Sequence, residues 1–264
     1  MAEFDMISIV TDGPVATLSL NRPEVRNAMN PVMIREITAA FSEFNTSDTI
    51  RVIVLRGDGG IFCAGGDLNW MRDVLDQSEQ EVIDDSRYLL NMYKAINDSP
   101  KLVIAAVEGA AIAGALGIIS CADIIIAEAN TKFCISEVKI GLVPGIIAAF
   151  ILPRIGTSWF RYLSKSAVLF DTDTARTTGL IHEIATDTED LSVRVDRHIK
   201  LGLASSPHAI AETGKLINAL GYTISEETLD NGLLFNAKAR LSDAAQEGIS
   251  AFLEKRLPGW SDTP

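Results

Sequence analysis

The 264-residue chain is 47% hydrophobic and 22% charged, which excludes a disordered or low-complexity polymer and gives length for a sizeable core. Asp and Glu outnumber Lys and Arg 35 to 23. The net charge of −12, with no Lys/Arg cluster, argues against DNA or RNA as a partner.

Cys63, Cys121 and Cys134 are widely spaced, form no CxxC pair and lie among apolar residues. They read as reduced, buried small hydrophobes, neither zinc ligands nor a disulfide framework. The opening MAEFDMISIV has no basic n-region or long apolar h-region, so a cytoplasmic location is expected. The most apolar stretch, 109–122, falls short of the roughly 20 residues a membrane span needs.

Met6–Val10 and Val15–Leu20 flank Asp12-Gly13 and predict a hairpin, since the turn needs a residue at positive φ. Asn30-Pro31 predicts a helix start, with Ile34, Ile37, Phe41 and Phe44 as its apolar stripe. Val52–Leu55 reads as a buried strand ending in the loop 57–66, and a helical region runs from Leu68 to about Asn97. Leu102–Val107 and Ile124–Ala127 are further buried strands, separated by the small-residue segment 109–122. Strands and helices alternate to about residue 185, the α/β pattern. After about Ser192 the signal is helical, punctuated by Pro207 and Gly221, with Asn231-Gly232 interrupting one segment. The expected division is a core over 1–191 and a helical C-terminal region over 192–264.

No GxSxG, P-loop, HExxH or GxGxxG signature is present, and His182, His198 and His208 lack partner spacing and read as surface or capping residues. Two glycine-rich segments stand out instead. Gly59–Leu68 (GGIFCAGGDL) follows a strand and opens a helix at Asp67, and Gly109–Gly117 (GAAIAGALG) does the same. Each alone reads more readily as a tight turn with Asp67 as N-cap, or as a close-packed helix. Together, two helix starts facing one point would offer a pair of unpaired N–H groups to an oxyanion. The third element is Glu137, set in the mainly apolar FCISEVKIGLVPG. Burial would raise its pKa toward neutrality and suit it to proton transfer; a salt bridge to Lys139 or simple exposure is the plain alternative.

At these segments the chain resembles the crotonase family, the enoyl-CoA hydratase/isomerase superfamily. The likeness starts at Leu20–Met29 (LNRPEVRNAM), continues through FCAGGDL, 109–123 and SEVKIGLVPG, and reaches Glu247–Arg256 (EGISAFLEKR). The resemblance implies an α/β spiral of ββα units with a helical C-terminal trimerisation region. It implies an acyl-CoA substrate, no cofactor beyond that thioester, no metal, and assembly as a homotrimer or dimer of trimers.

By motif position the two oxyanion donors fall on Gly66 and Gly114, and the acid/base on Glu137. CoA and substrate contacts map to Arg26, Ala28, Ala64, Gly65, Asp67, Leu68 and Trp70, while Phe252 and Lys255 resemble positions that approach the nucleotide of a neighbouring subunit. Met71, Ile146 and Phe150 join Trp70 as expected pocket walls, and Arg22, Arg26, Lys101 and Lys255 are the candidate cations.

Typical hydratases of the family carry a second glutamate, and its position falls on Gly117. Asp67–Met71, SEVKIGLVP and Gly179–Glu183 look most like the methylglutaconyl-CoA hydratase branch. The single-carboxylate arrangement resembles family isomerases, although that hydratase branch can also have Gly at the position of Gly117. The resemblance therefore favours hydration of a 2-enoyl-CoA. A Δ3,Δ2-enoyl-CoA isomerase is the alternative, and a non-catalytic acyl-CoA-binding paralogue is the alternative of another class.

Overall fold

Strands β1 (Ile7–Asp12) and β2 (Val15–Leu20) pair antiparallel with Asp12 opposite Val15, so the turn is Gly13-Pro14. The positive φ required there falls on Gly13, at +52°. The computed structural model describes residues 4–73, 75, 77–217, 220 and 225–261.

The strands that follow are β3 (Val52–Gly57), β4 (Leu102–Val107), β5 (Ala110–Ile112), β6 (Ile124–Glu128), β7 (Lys132–Cys134) and β8 (Glu183–Ala185). The main sheet runs β1-β2-β3-β4-β6-β8 and is parallel beyond its first pair. Its inner strands are covered on both faces, which is why they read as unbroken apolar runs. The short strands β5 and β7 pair in a second layer, extended by the bridges Met29–Gly66, Cys63–Ala111 and Phe133–Phe170. Successive turns of the chain thus give one strand to the large sheet, a short pairing to the second layer, and then a helix. This is the ββα spiral.

Helix α1 (Pro31–Thr46) starts as expected, with the Asn30 side chain accepting from the Met33 N–H at 2.8 Å. Ile34, Ile37, Phe41 and Phe44 are all buried beneath it. The helical region expected over 68–97 is two helices, α2 (Leu68–Asp73) and α3 (Glu79–Asn97). Ser78 opens α3 through a reciprocal capping box with Glu81, and that cap separates it from α2. The segment 109–122 resolves into β5 and α4 (Gly114–Ser120); α5 (Gly145–Ser166) and α6 (Thr172–Thr178) complete the spiral.

Helix α7 (Thr188–Ala204) crosses the expected 191/192 division. Its Leu191 and Val195 pack on Val52, Val54, Ile104 and Ile126, covering the sheet face opposite the main core. Then come α8 (Pro207–Ile217), α9 (Glu226–Arg240) and α10 (Asp243–Leu253). Gly221 lies outside the described residues. The expected interruption at Asn231-Gly232 is corrected, because α9 runs straight through it. Gly232 serves contact: a Cβ there would lie 2.7 Å from the Gly145 carbonyl oxygen at the start of α5. The missing side chain lets the two helices cross with their backbones touching.

Cys63, Cys121 and Cys134 are free and buried, as expected. His182 accepts the Ile125 N–H at 2.9 Å, and His198 meets the Glu183 carboxylate at 2.6 Å, both in support of the β6–β8 edge. Among the described residues no helix is long and apolar enough to cross a membrane.

The crossing at Gly232 is testable. Gly232→Val lowers stability by about 1–3 kcal/mol through overpacking, read from the urea midpoint. The exposed neighbour substitution Asn231→Ala stays within about 0.5 kcal/mol.

Candidate active site

The site begins with a backbone ladder. Arg26 and Asn27 adopt left-handed φ values of 55° and 54°, turning the chain sharply after β2. Asn27 is fully buried; its Oδ1 accepts from Arg22 N–H at 2.8 Å, and its amide donates to the Asp58 and Ile61 carbonyls. The turn so held pairs with 64–67: Ala64 N–H donates to Arg26 O, Met29 N–H to Gly65 O at 2.7 Å, and Asp67 N–H to Met29 O at 2.8 Å. Gly65 makes this possible at φ +103°. Gly66 points its own N–H the other way, and among the described residues that amide has no partner.

Asp67 locks the turn. Its carboxylate caps Asn69 N–H at 2.8 Å and pairs with Arg22 at 2.9 Å, while Arg22 also donates to Ala28 O at 2.6 Å. Arg22, expected as a free cation for the ligand, is thus corrected to an internal clasp. Lys101 is corrected as well: its ammonium donates to the Ser47 carbonyl at 2.6 Å, away from the site.

The second amide comes from the β5–α4 junction. Ala113 N–H donates to Cys134 O at 2.8 Å, tying the junction to β7. Ala113 sits at φ 50°, ψ −119°, a conformation costing a non-glycine residue about 1–3 kcal/mol. The rotated peptide makes Gly114 the first residue of α4, with an N–H that has no partner among the described residues. The buried Tyr93 hydroxyl, on α3, donates to Gly114 O at 2.9 Å and fixes that peptide from behind.

Glu137 follows β7 at the start of a single 3₁₀ turn, 137–140. Its Oε2 is buried with no hydrogen-bond partner. The alternative of a salt bridge to Lys139 is not realised; the Lys139 ammonium lies 4.0 Å from Cys134 Sγ instead. Burial raises the Glu137 pKa to about 7, with the Glu137 and Ser136 N–H groups pulling in the opposite direction.

Gly66, Gly114 and Glu137 line one cavity of about 130 Å³. Trp70, Met71 and Ile146 form its walls as expected. Phe150 does not: it is buried behind the wall with its ring 5.5 Å from that of Tyr93. An adjoining groove of about 750 Å³ is lined by Arg26, Ala28, Ala64, Gly65, Asp67, Leu68 and Phe252. Cavity and groove meet at Gly66, Ala113 and Ser136. Lys255 is exposed and outside both linings, whereas Arg256 lines the groove, tied to Glu247 and Glu254. Arg72 and Lys139 join Arg26 as groove cations.

Gly117 has no room for a carboxylate. A Cβ there would sit 2.7 Å from Ile147 Cγ2 and 2.8 Å from the Tyr93 ring. Tyr93, Asn236 and Arg240 were absent from the sequence reading; they arrive from α3 and α9, remote in the chain.

Residues 11–263 match the family model described as enoyl-CoA hydratase/isomerase. The chain belongs to that family. It is 29% identical over 252 residues to a putative enoyl-CoA hydratase of Thermus thermophilus, covering 94% of this chain and 98% of that one. It is 29% identical over 260 residues to the trans-2-decenoyl-[acyl-carrier-protein] isomerase of Streptococcus mutans, covering 97% and 98%. The crystal structure of an enoyl-CoA hydratase from Shewanella pealeana superposes with a TM-score of 0.81 at 34% identity, covering 98% of this chain and 97% of that one. The spiral and its helical C-terminal region are the crotonase fold of this family.

The raised pKa of Glu137 makes it a stability liability of known sign. Between pH 4.5 and about 7 the folded state holds a proton that the unfolded state has lost, so this group's contribution falls as pH rises. Glu137→Gln removes the liability. Urea unfolding at pH 8 is expected to show a gain on the order of 2–3 kcal/mol that disappears near pH 4.5.

Proposed function

We propose that this protein adds water to the double bond of a 2-enoyl-CoA thioester, with Glu137 as acid and base. One observation carries the reading: a buried carboxyl group with one oxygen unpartnered, its pKa raised to about 7, shares a small cavity with two unpartnered backbone amides. Thioester binding in the groove brings the carbonyl oxygen to the Gly66 and Gly114 N–H groups. These stabilise the charge that develops as the enolate forms, each donor being worth about 10²–10³ in rate. Ionised Glu137 takes a proton from water as the water oxygen bonds to C3 and the π electrons move to the carbonyl oxygen. Protonated Glu137 then returns a proton to C2, and the enolate collapses to the thioester. A single carboxylate serving both steps delivers oxygen and hydrogen to the same face, which is syn addition. Its pKa near 7 suits it to both roles.

Arg26, Arg72 and Lys139 give the groove local positive charge within a protein of net charge −12. At a Debye length of roughly 8 Å those neighbours outweigh the distant acidic surface for an anionic CoA. The exposed apolar side chains Leu234, Phe235 and Leu241 on and after α9 support assembly as a homotrimer or dimer of trimers.

A second reading has its own support. The space beside Gly117 is filled by Tyr93 and Ile147, so no second carboxylate shares the work. Glu137 alone suffices to carry a proton from C2 to C4 of a 3-enoyl thioester without water.

Mass spectrometry of products from 2-enoyl-CoA and 3-enoyl-CoA thioesters in heavy water separates the two. Hydration gives a gain of one water with deuterium at C2; migration gives a shifted double bond with no added water, with deuterium at C4 only to the extent that the Glu137 carboxyl exchanges with solvent, and would replace the first reading. For hydration, kcat/KM should fall about tenfold per pH unit below about 7, as Glu137 protonates in the free enzyme. Glu137→Ala should cost at least about 10²–10⁴ in kcat; full turnover by that variant would refute the assignment.

A further inference from the structure

Helix α10 borders both openings of the site, with Ile249 in the wall of the acyl cavity and Gly248 and Phe252 in that of the groove. Between them it rests on the 3₁₀ turn 137–140, backbone against backbone. A Cβ at Gly248 would lie 2.5 Å from the Ile140 carbonyl oxygen and 2.8 Å from its Cα. From the other side, a Cβ at Gly141 would lie 2.7 Å from the Ala245 nitrogen and closer still to the Ala244 carbonyl. Neither position admits a side chain unless one backbone moves away from the other.

Glu137 depends on this turn for its place. Oε2 has no partner, and the hydrogen bonds that reach the carboxyl come from the N–H groups of Glu137 and Ser136, within its own segment. The carboxyl therefore goes where the turn goes. Lys139 N–H to Ser136 O and Leu142 N–H to Glu137 O, both at 3.0 Å, close the turn, while Gly141 N–H reaches Val138 O only at 3.4 Å. A single 3₁₀ turn with such geometry has little rigidity of its own. Support comes from α10, whose Ala245 and Ile249 are buried against Met71 and Leu142.

The helix brings no charge to Glu137. Its Asp243 is exposed, and its Glu247 is held by Arg256 at 2.7 Å. The titratable and charged neighbours of Glu137 come from other elements: Tyr93 of α3, Cys134 of β7, Lys139 of the turn and Arg240 of α9. What α10 adds is a dry wall, and burial is the cause of the raised Glu137 pKa.

We propose that α10 is the positioning element for Glu137: the seam of Gly248 on Ile140 and of Gly141 on Ala244 holds the carboxyl at the reacting atoms and keeps bulk water from it. This rests on the hydration reading above and names what aims its acid and base. Gly248 acts through the turn and is a positioning residue.

Gly248→Ala tests the seam with the smallest insertion. Alanine is the better residue in a helix interior, so a loss here comes from the contact and not from helix propensity. The added methyl should lower kcat about 10–100-fold, as expected for a shift of about 1 Å in a catalytic group. The Glu137 pKa should fall from about 7 toward 4.5, read in the ligand-free protein from the carboxyl infrared band that Glu137→Gln removes. Ala245→Gly thins the same seam without adding an atom, should move both readouts the same way by less, and decides the matter if Gly248→Ala does not fold. Ser250→Ala, on α10 but in neither lining, should leave both at wild-type values. Both readouts must move together. A wild-type kcat with a rise in KM alone makes Gly248 part of the groove only and overturns the proposal. A loss of kcat with an unchanged pKa, or an equal loss in Ser250→Ala, is what a merely structural role gives and overturns it too. If the wild type turns over no enoyl-CoA, the reaction falls and the pKa alone decides the seam. If water is added and neither readout moves, the reaction stands and the positioning role falls.

Discussion

The pairing of the second layer is the constraint on which the site depends. Met29 bridges Gly66, Cys63 bridges Ala111, and β5 pairs with β7, so three separate loops share one hydrogen-bonded framework. A parallel pairing uses alternate peptide groups, and the unused ones must face elsewhere. At Gly66 the N–H left out of the Met29 pairing belongs to a cavity-lining residue, and at Gly114 the free N–H is a first-turn donor of α4 placed beside it by the β5–β7 pairing. The two amides of the proposed oxyanion site are thus both held in place by the second-layer framework. This is preorganisation in its cheapest form, since the donors need not reorient when charge appears. The framework also carries a cost at Ala113, whose backbone is held where glycine is the comfortable residue. The bonds of Ala113 N–H to Cys134 and of Tyr93 to Gly114 O hold that strain in place.

Glu137 shows the same logic applied to charge. A carboxylate without partners is normally avoided in an apolar wall. Here burial raises its pKa to about 7 against the pull of two backbone N–H groups, and Oε2 stays without a partner. A salt bridge to Lys139 would have stabilised the fold and fixed the carboxylate in its ionised form. The chain keeps the lysine on the groove side instead, where a phosphate-bearing ligand would meet it.

What the sequence shows of this molecule depends on how local the cause is. The Asn30 cap, the apolar strands and the Gly66 and Asp67 helix start are each set by neighbours within a few residues, and all are legible. Residue type is also legible where a whole motif carries it, as for Glu137. Partner choice is not. Arg22 and Lys101 read as free cations, and only the fold reveals Asp67, Ala28 and Ser47 as their acceptors. Gly232 reads as a helix breaker because propensity is all a sequence displays; its packing against Gly145, far back in the chain, reverses the reading. Arg240 and Tyr93 carry no local mark at all. They reach the site only because α9 and α3 are laid against the spiral, a consequence of contacts dozens to more than a hundred residues apart.

Gly117, Tyr93 and Gly114 then form one packing decision with two chemical consequences. Without a side chain at Gly117, the Tyr93 ring comes within the space a Cβ would occupy. In that place its hydroxyl meets the Gly114 carbonyl. Burial raises the phenol pKa well above its usual value and keeps it a neutral donor. A carboxylate at position 117 would displace the ring and remove the bond that fixes the Gly114 peptide. The chain therefore gives up a second acid where it secures the Gly114 peptide, and in the proposed reaction Glu137 would handle every proton. A site built this way tolerates one carboxylate because its electrostatic support comes from backbone, which no titration can switch off.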